Sequence, residues 1–319
     1  MAWVFLTETR AYKLKKPVRY AYLDFSSLEA RRIDTFEEVR LNRVLAPDVY
    51  LGTVPLTRIT GTEMGETHDG GHSTAMALDG DGSVIDWLVV MRRLSRERML
   101  DAVLEARTWS AGEIDLVVRW LIRFYQYAPR IDLPADVYLA GLRRDIRENR
   151  DELWSMQALP EPDRPLVQAV ADRLLRCTHA HATRLGRRAA DRRIVEGHGD
   201  LRPEHVHLGP PPAVIDCIEF NRGFRILDIV DDLGFLRLEC ERLGAASVGE
   251  QIFETYRTAM DDAVDETVVA FYMAHRALLR AKIALWHLND HDVRLADRWL
   301  ERTLEYLQLA AMNAERAET

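Results

Sequence analysis

The stretch GHGDLRPEH, residues 197–205, places one carboxylate, Asp200, between a glycine and a proline-interrupted turn, with a histidine on either side. It follows a long charged segment of helical pattern and precedes HVHLGPPPAVIDCIEF, the one strand-forming run read in the second half of the chain. Asp200 thus belongs to neither a helix face nor a strand face, and its role has to come from what surrounds it. If HVHL and AVIDCIEF form a hairpin turning at Pro210-Pro211, as Gly209 and the three prolines favour, position 205 pairs with position 216. His205 and Asp216 then face each other across two strands, close to the loop that carries Asp200. Three groups able to hold a metal ion or a proton converge at one end of that hairpin; a turn centred one residue away would offset the two side chains.

Working outward, residues 1–93 read as strands with one helix and residues 94–319 mainly as helices. WVFLT and RAYKLKK are two strands joined by a tight turn at Glu8-Thr9, with Lys13 in the second. The stretch SSLEARRIDTFEEVRLNRVLAP opens with a capping box, Ser26 and Glu29, and is closed by Pro47, which predicts one long helix. YLGTVPLTRI, TAMALDG and VIDWLVVM supply three further strands, the last two joined by a turn at Asp79-Gly80-Asp81-Gly82. Beyond Arg93, Ser110 and Glu113 form a second capping box before a run with apolar residues at 114, 117, 118, 121, 122 and 125, the spacing of a core-facing helix. Another helix is expected over much of residues 164–190, and a long helical pair ends the chain.

The bulk properties narrow the function. An apolar content of 47% over 319 residues is that of a globular protein with a substantial core. A net charge of −8 disfavours a nucleic-acid or anionic-membrane partner, which excess Lys and Arg would hold, and fits a small ligand better. Cys177, Cys217 and Cys240 are far apart, which supports neither a disulfide framework nor a metal site and makes a reducing cytoplasm the expected compartment. The apolar patch Ala2–Leu6 is followed by Glu8 and has no basic segment before it, unlike a signal peptide. His287 and His291 share helical spacing but lack a third ligand, and His68 and His72 lie in a glycine-rich loop. No phosphate-binding G-x-x-x-x-G-K-S/T loop and no G-x-S-x-G elbow occurs.

HGDLRPEH resembles the HGDxxxxN motif of the aminoglycoside phosphotransferase-like kinases, the aminoglycoside phosphotransferase and choline kinase superfamily, and VIDCIEF resembles their IDxxE/D segment. AYKLKKPV, EEVRLN, APDVYLG, MRRL and DDLGFL look like segments of a bacterial branch of that superfamily, in the same order and over nearly the whole chain. The resemblance implies an α+β, protein-kinase-like two-lobed fold: a small antiparallel-sheet N-lobe with one main helix over residues 1–93, binding the nucleotide, and a larger, mainly helical C-lobe over residues 94–319, carrying the catalytic loop and the substrate-binding helices. It further implies an ATP-dependent kinase using Mg²⁺, with a hydroxyl of a sugar, aminoglycoside-like compound or related polar metabolite as acceptor. By that resemblance Asp200 is the catalytic aspartate and Asp216 the Mg²⁺ ligand, while Lys13 contacts the α- and β-phosphates. Glu38 is the helical partner of Lys13, with Glu37 as the other candidate on the same face. Val90 and Met91 mark the hinge that meets the adenine. His198 holds the catalytic loop or relays a proton; Glu219, Asp228 and Asp232 match acidic positions, the latter two as structural groups. Arg202 either contacts an anionic substrate or forms a surface ion pair.

Two departures qualify the match. The motif ends in His205 where the superfamily has Asn, and an imidazole nitrogen suits Mn²⁺ or Zn²⁺ better than Mg²⁺. The chain also begins almost directly with the strand before Lys13, so a short or absent nucleotide lid is expected. The alternative reading is a kinase-fold protein that binds a nucleotide or metabolite without turning it over, and a third is nucleotidyl transfer on the same fold. The acceptor and the oligomeric state are not written in these motifs.

Overall fold

The computed structural model describes residues 2–20, 22–59, 75–289 and 296–319. His68, His72 and His291 lie outside them. The chain divides into two compact units, one formed by Met1–Ala102 with Glu204–Phe224 and the other by Val103–Pro203 with Arg225–Thr319. The expected boundary at residues 93/94 falls inside the first unit, which also takes in the hairpin after Asp200.

In the first unit β1 (Ala2–Leu6) and β2 (Arg10–Lys15) are followed by a two-residue ribbon, β3 (Arg19–Tyr20) and β4 (Leu23–Asp24), then α1 (Leu28–Asn42), β5 (Tyr50–Ile59), β6 (Ala75–Leu78) and β7 (Ser83–Arg92). The main sheet is antiparallel with order β1-β2-β7-β5-β6. Helix α1 is capped by Ser27, whose hydroxyl accepts the Ala30 N–H, and not by Ser26, whose hydroxyl instead donates to Asp24. It ends at Asn42 rather than running to Pro47, because the chain tightens there into i→i+3 turns, Val44 N–H to the Leu41 carbonyl and Leu45 N–H to the Asn42 carbonyl. The buried face of α1 is polar: Arg31, Asp34, Thr35, Glu38 and Asn42 recur at helical spacing. Such a face needs charged partners, and β2 supplies them. Strand alternation puts Ala11, Lys13 and Lys15 on one side of β2, so both lysines look the same way. The apolar core of this unit is Ala11, Val39, Ala46, Val49, Tyr50, Val89, Met91 and Ala213.

The second unit contains α2 (Leu100–Ala106) in part, then α3 (Ala111–Tyr127), α4 (Ala135–Ser155), α5 (Arg164–Ala180) and α6 (Ala182–Ala190). Helix α3 starts in the Ser110/Glu113 capping box and buries Ile114, Val117, Val118, Leu121, Ile122 and Tyr125, as the spacing requires. The single helix expected over 164–190 is two, broken at His181, whose φ and ψ leave the helical region. Strand β8 (Ile194–Glu196) leads to the Asp200 loop, and β9 (Val206–His207) and β10 (Ala213–Val214) form the hairpin in the first unit. Back in the second, β11 (Ile226–Asp228) pairs with β8 ahead of α7 (Ile229–Arg242), α8 (Ala246–Met260), α9 (Glu266–Trp286) and α10 (Ala296–Glu318). Helices α7 and α9 are buried on nearly all sides. Among the described residues no helix is long and apolar enough to cross a membrane.

Helix α9 buries His275 with neither ring nitrogen hydrogen-bonded, its ring stacked on Phe271. Burial holds its pKa below the usual imidazole value; Asp231 and Asp145 pull it up, while Arg276 and Lys282 add to the depression. The unfolded chain then takes up the proton more readily, so this contribution to stability is present above the unfolded pKa of about 6.5 and is lost as pH falls through it. Relative to His275→Leu, the parent is expected to lose up to about 1.4 kcal/mol between about pH 7.5 and pH 5.5, read from urea denaturation of both proteins. Equal pH dependence in the two would refute this.

Candidate functional site

The first unit gathers Lys13, Glu38, His205 and Asp216. The Lys13 ammonium sits 2.8 Å from Glu38 Oε1 and donates to Asp216 Oδ1 at 2.6 Å. Glu37 points away and pairs with Arg40 on the outer face of α1, which leaves Glu38 as the partner of Lys13. Burial alone would lower the pKa of Lys13, but Asp216, Glu38 and Glu219 outweigh it and hold the pKa well above the ordinary lysine value. Burial opposes ionisation of Glu38 as well, yet Lys13 and Lys15 keep its pKa below the usual range.

The hairpin register differs by one residue from the expected one. Val206 pairs with Val214 and His207 with Ala213, and the Ile215 N–H donates to the His205 carbonyl, so His205 stands opposite Ile215. The turn is centred on position 210. His205 Nε2 nevertheless approaches to 3.6 Å from Asp216 Oδ2, because Asp216 leaves the strand direction with φ +63°. This left-handed backbone is costly for a residue with a Cβ, and it is held by two bonds: the Asp216 N–H donates to Tyr50 Oη at 3.1 Å and the Cys217 N–H to Asn42 Oδ1 at 2.9 Å.

Lys15, read from sequence as one member of a basic run with Lys16, is instead 1% exposed. Its ammonium lies 2.7 Å from both Asp34 Oδ2 and Glu38 Oε2 and also pairs with Glu219. Burial, reinforced by Glu38, pushes the Glu219 pKa up to about 7 although Lys15 pulls it down. The signal that could have found Lys15 is its period-two spacing from Lys13.

Val90 and Met91 lie inside β7, which β2 and β5 flank on both sides. Met91 is buried in the core, and the strand ends one residue later, at Arg92.

His198 and Asp200 belong to the second unit, where α7 builds their loop. Asp232 accepts the His198 N–H at 2.7 Å, the Gly199 N–H at 3.1 Å and the Tyr125 hydroxyl at 3.0 Å. Burial pushes the Asp232 pKa up to about 6, against the pull of Arg276 and these donors. Gly197 is required by this packing, since a Cβ there would stand 2.8 Å from Asp232 Oδ2 and 2.9 Å from Leu227 Cδ1. Gly199 takes φ +86°, which glycine adopts at little cost. Arg276 forms a two-pronged pair with Asp231 at 2.7 and 2.8 Å and donates to the Gly199 carbonyl. His198 is fully buried, and its Nδ1 accepts the Asp200 N–H, a position suited to holding the loop. The Asp200 carboxylate is partly exposed and accepts from Arg202 at 2.8 Å. Asp228 caps α7 and takes a two-pronged bond from Arg188. Tyr125, read from sequence only as part of the α3 stripe, carries this loop together with Arg276 and Asp231, which sit on helices buried almost all round and so show no distinct polar face.

The first unit offers two donors, His205 Nε2 and Asp216 Oδ2, at a spacing compatible with one cation. Two donors each about 2.0–2.1 Å from one ion stand roughly 3–4 Å apart, and the His205 Nε2 to Asp216 Oδ2 distance is 3.6 Å. Among the described residues no cluster of three or more His, Cys, Asp or Glu is placed to hold a metal ion. Substrate phosphates commonly complete the shell of an ion held by one or two protein carboxylates, and here Asp216 is one such carboxylate.

No family model matches the chain. It is 29% identical over 291 residues to uncharacterized proteins of Mycobacterium tuberculosis and Mycobacterium bovis, covering 88% of this chain and 53% of theirs. The chain thus spans about half the length of these curated relatives. Among solved structures, a variant of aminoglycoside 2'-phosphotransferase-IIIa in complex with GDP superposes with a TM-score of 0.52 at 13% identity, over 100% of this chain and 90% of that one. An ethanolamine kinase of Plasmodium vivax superposes with a TM-score of 0.51 at 9% identity, over 94% and 75%. The chain has the protein-kinase-like α+β fold of the aminoglycoside phosphotransferase and ethanolamine kinase structures, as the motifs led us to expect.

Proposed function

We propose that the chain is an ATP-dependent phosphotransferase that moves the γ-phosphoryl group to a hydroxyl of a small polar acceptor. The observation that carries this reading is the Lys13 ammonium held between Glu38 on α1 and Asp216 after the hairpin. Phosphoryl transfer asks the protein for positioning and charge neutralisation more than for covalent chemistry. Lys13, kept charged and aimed by Glu38, meets the α- and β-phosphates. Asp216 and His205 would hold a divalent ion, which would neutralise phosphate charge, and the imidazole would tilt the preference from Mg²⁺ toward Mn²⁺. Asp200 accepts the proton of the acceptor hydroxyl as its oxygen bonds to the γ-phosphorus and the bond to the ADP oxygen breaks. His198 keeps the loop in place through the Asp200 N–H.

The test is phosphorus NMR of ATP incubated with the protein, a divalent ion and panels of amino sugars, sugars and amino alcohols. The expected result is ADP together with a new phosphate monoester on one acceptor class. A new phosphodiester with release of pyrophosphate would replace phosphoryl by nucleotidyl transfer, and ATP left intact with every acceptor would favour a binding protein that does no chemistry.

A further inference from the structure

We infer that Lys15 is a positioning residue, a buried clamp that ties residues 216–219 to α1 and so sets Asp216 and the Lys13–Glu38 pair in place before any nucleotide arrives. The inference rests on the reading of Lys13 and Asp216 as nucleotide-site groups. The two lysines share one face of β2 but not one job. The Lys13 side chain keeps 17% of its surface and Lys15 only 2%. The Lys15 ammonium donates to Glu38 and Glu219, has the Asp34 carboxylate 2.7 Å away, and is buried, which closes it to a phosphate. Burial works against its charge, but Glu38, Glu219 and Asp34 together hold the pKa above the ordinary lysine value.

The geometry of α1 explains what the clamp does. Asp34, Glu38 and Asn42 follow one another at successive i, i+4 steps along a single helix face. Asn42 Oδ1 takes the Cys217 N–H, Glu38 reaches Asp216 through Lys13, and Asp34 and Glu38 reach Glu219 through Lys15. Three turns of helix thus grip both ends of a four-residue segment whose first member, Asp216, is held in a left-handed conformation. Glu38 bridges the two lysines, with Oε1 toward Lys13 and Oε2 toward Lys15. Without Lys15, the buried carboxylates of Asp34, Glu38 and Glu219 lose the cation they share, and their repulsion drives Glu219 and Glu38 apart.

The test uses the full chain with Lys15→Met, Lys15→Arg and Glu219→Ala. In nucleotide-free protein, hydrogen exchange at the Asp216 and Cys217 amides should rise about tenfold or more in Lys15→Met and Glu219→Ala, with α7 and α9 unchanged. The dissociation constant for Mg-ATP, by calorimetry, should rise about tenfold or more in the same variants. Lys15→Arg should recover most of both effects, which a mere volume-filling role would not produce. Should Lys15→Met fail to fold, Glu219→Ala, which leaves both lysines in place, decides. Exchange at Asp216 and Cys217 equal to the parent's would overturn the inference whatever the nucleotide does. A parent that does not bind Mg-ATP would instead sink the proposed function while the exchange result still judges the clamp.

Discussion

On the proposed function, in which Asp200 is the base for phosphoryl transfer, Asp200→Asn should lower the turnover number by about 10²–10⁴-fold, the range over which a positioned general base contributes. The substitution is close to isosteric, and the loop it sits in is built by other groups: Asp232 holds the His198 and Gly199 amides, and His198 Nδ1 accepts the Asp200 amide. An asparagine carbonyl can still accept from Arg202 as the carboxylate oxygen does. What disappears is the capacity to take a proton. The loss should therefore appear equally in kcat and kcat/KM, the signature of an interaction made only in the transition state, with nucleotide affinity unchanged. A variant with parental turnover would show that the proton leaves by another route.

Arg188→Met should destabilise the second unit by about 3–5 kcal/mol, the cost of leaving a buried charge partner unpaired. Arg188 meets Asp228 with two bonds of 2.8 Å and Asp262 with two of 2.6 and 2.7 Å. Asp228 is fully buried, accepts the Tyr272 hydroxyl and caps α7 through the Val230 N–H, while Asp262 accepts from Tyr256. Methionine fills the volume but leaves both carboxylates without their cation. Arg188→Lys should be intermediate, since a single ammonium cannot reproduce two forked contacts. The first turn of α7 also carries Asp231 and Asp232, so the damage should reach the Asp200 loop. Urea denaturation measures the loss; a change under about 1 kcal/mol would mean that the site relaxes or admits water.

The reach of the sequence can be judged residue by residue. The sheet was legible because β5 and β7 are long and punctuated by turn residues, and α3 because a capping box precedes an apolar stripe. The motifs pointed to Lys13, the α1 glutamate and Asp216, which meet in the first unit. Lys15 was not, because a lysine beside Lys16 looks like a solvated charge run until the polar buried face of α1 is known. The hairpin register slipped by one residue, since three prolines mark a turn without fixing its centre, and nothing local announces a left-handed aspartate at 216. Strands β8 and β11, three residues each, are too short for alternation to register. Helix α7 hides its period because it is buried almost all round and carries acidic groups that serve the loop.

Calorimetric titration with ATP decides whether Lys13, Glu38 and Asp216 form a working nucleotide site. Parent and Asp216→Asn proteins are titrated in Mg²⁺, in Mn²⁺ and in a chelator. Expected is binding that needs the metal, is stronger in Mn²⁺ than in Mg²⁺, and is lost in Asp216→Asn. Absence of binding in both metals, or binding that neither the chelator nor the substitution disturbs, would contradict it.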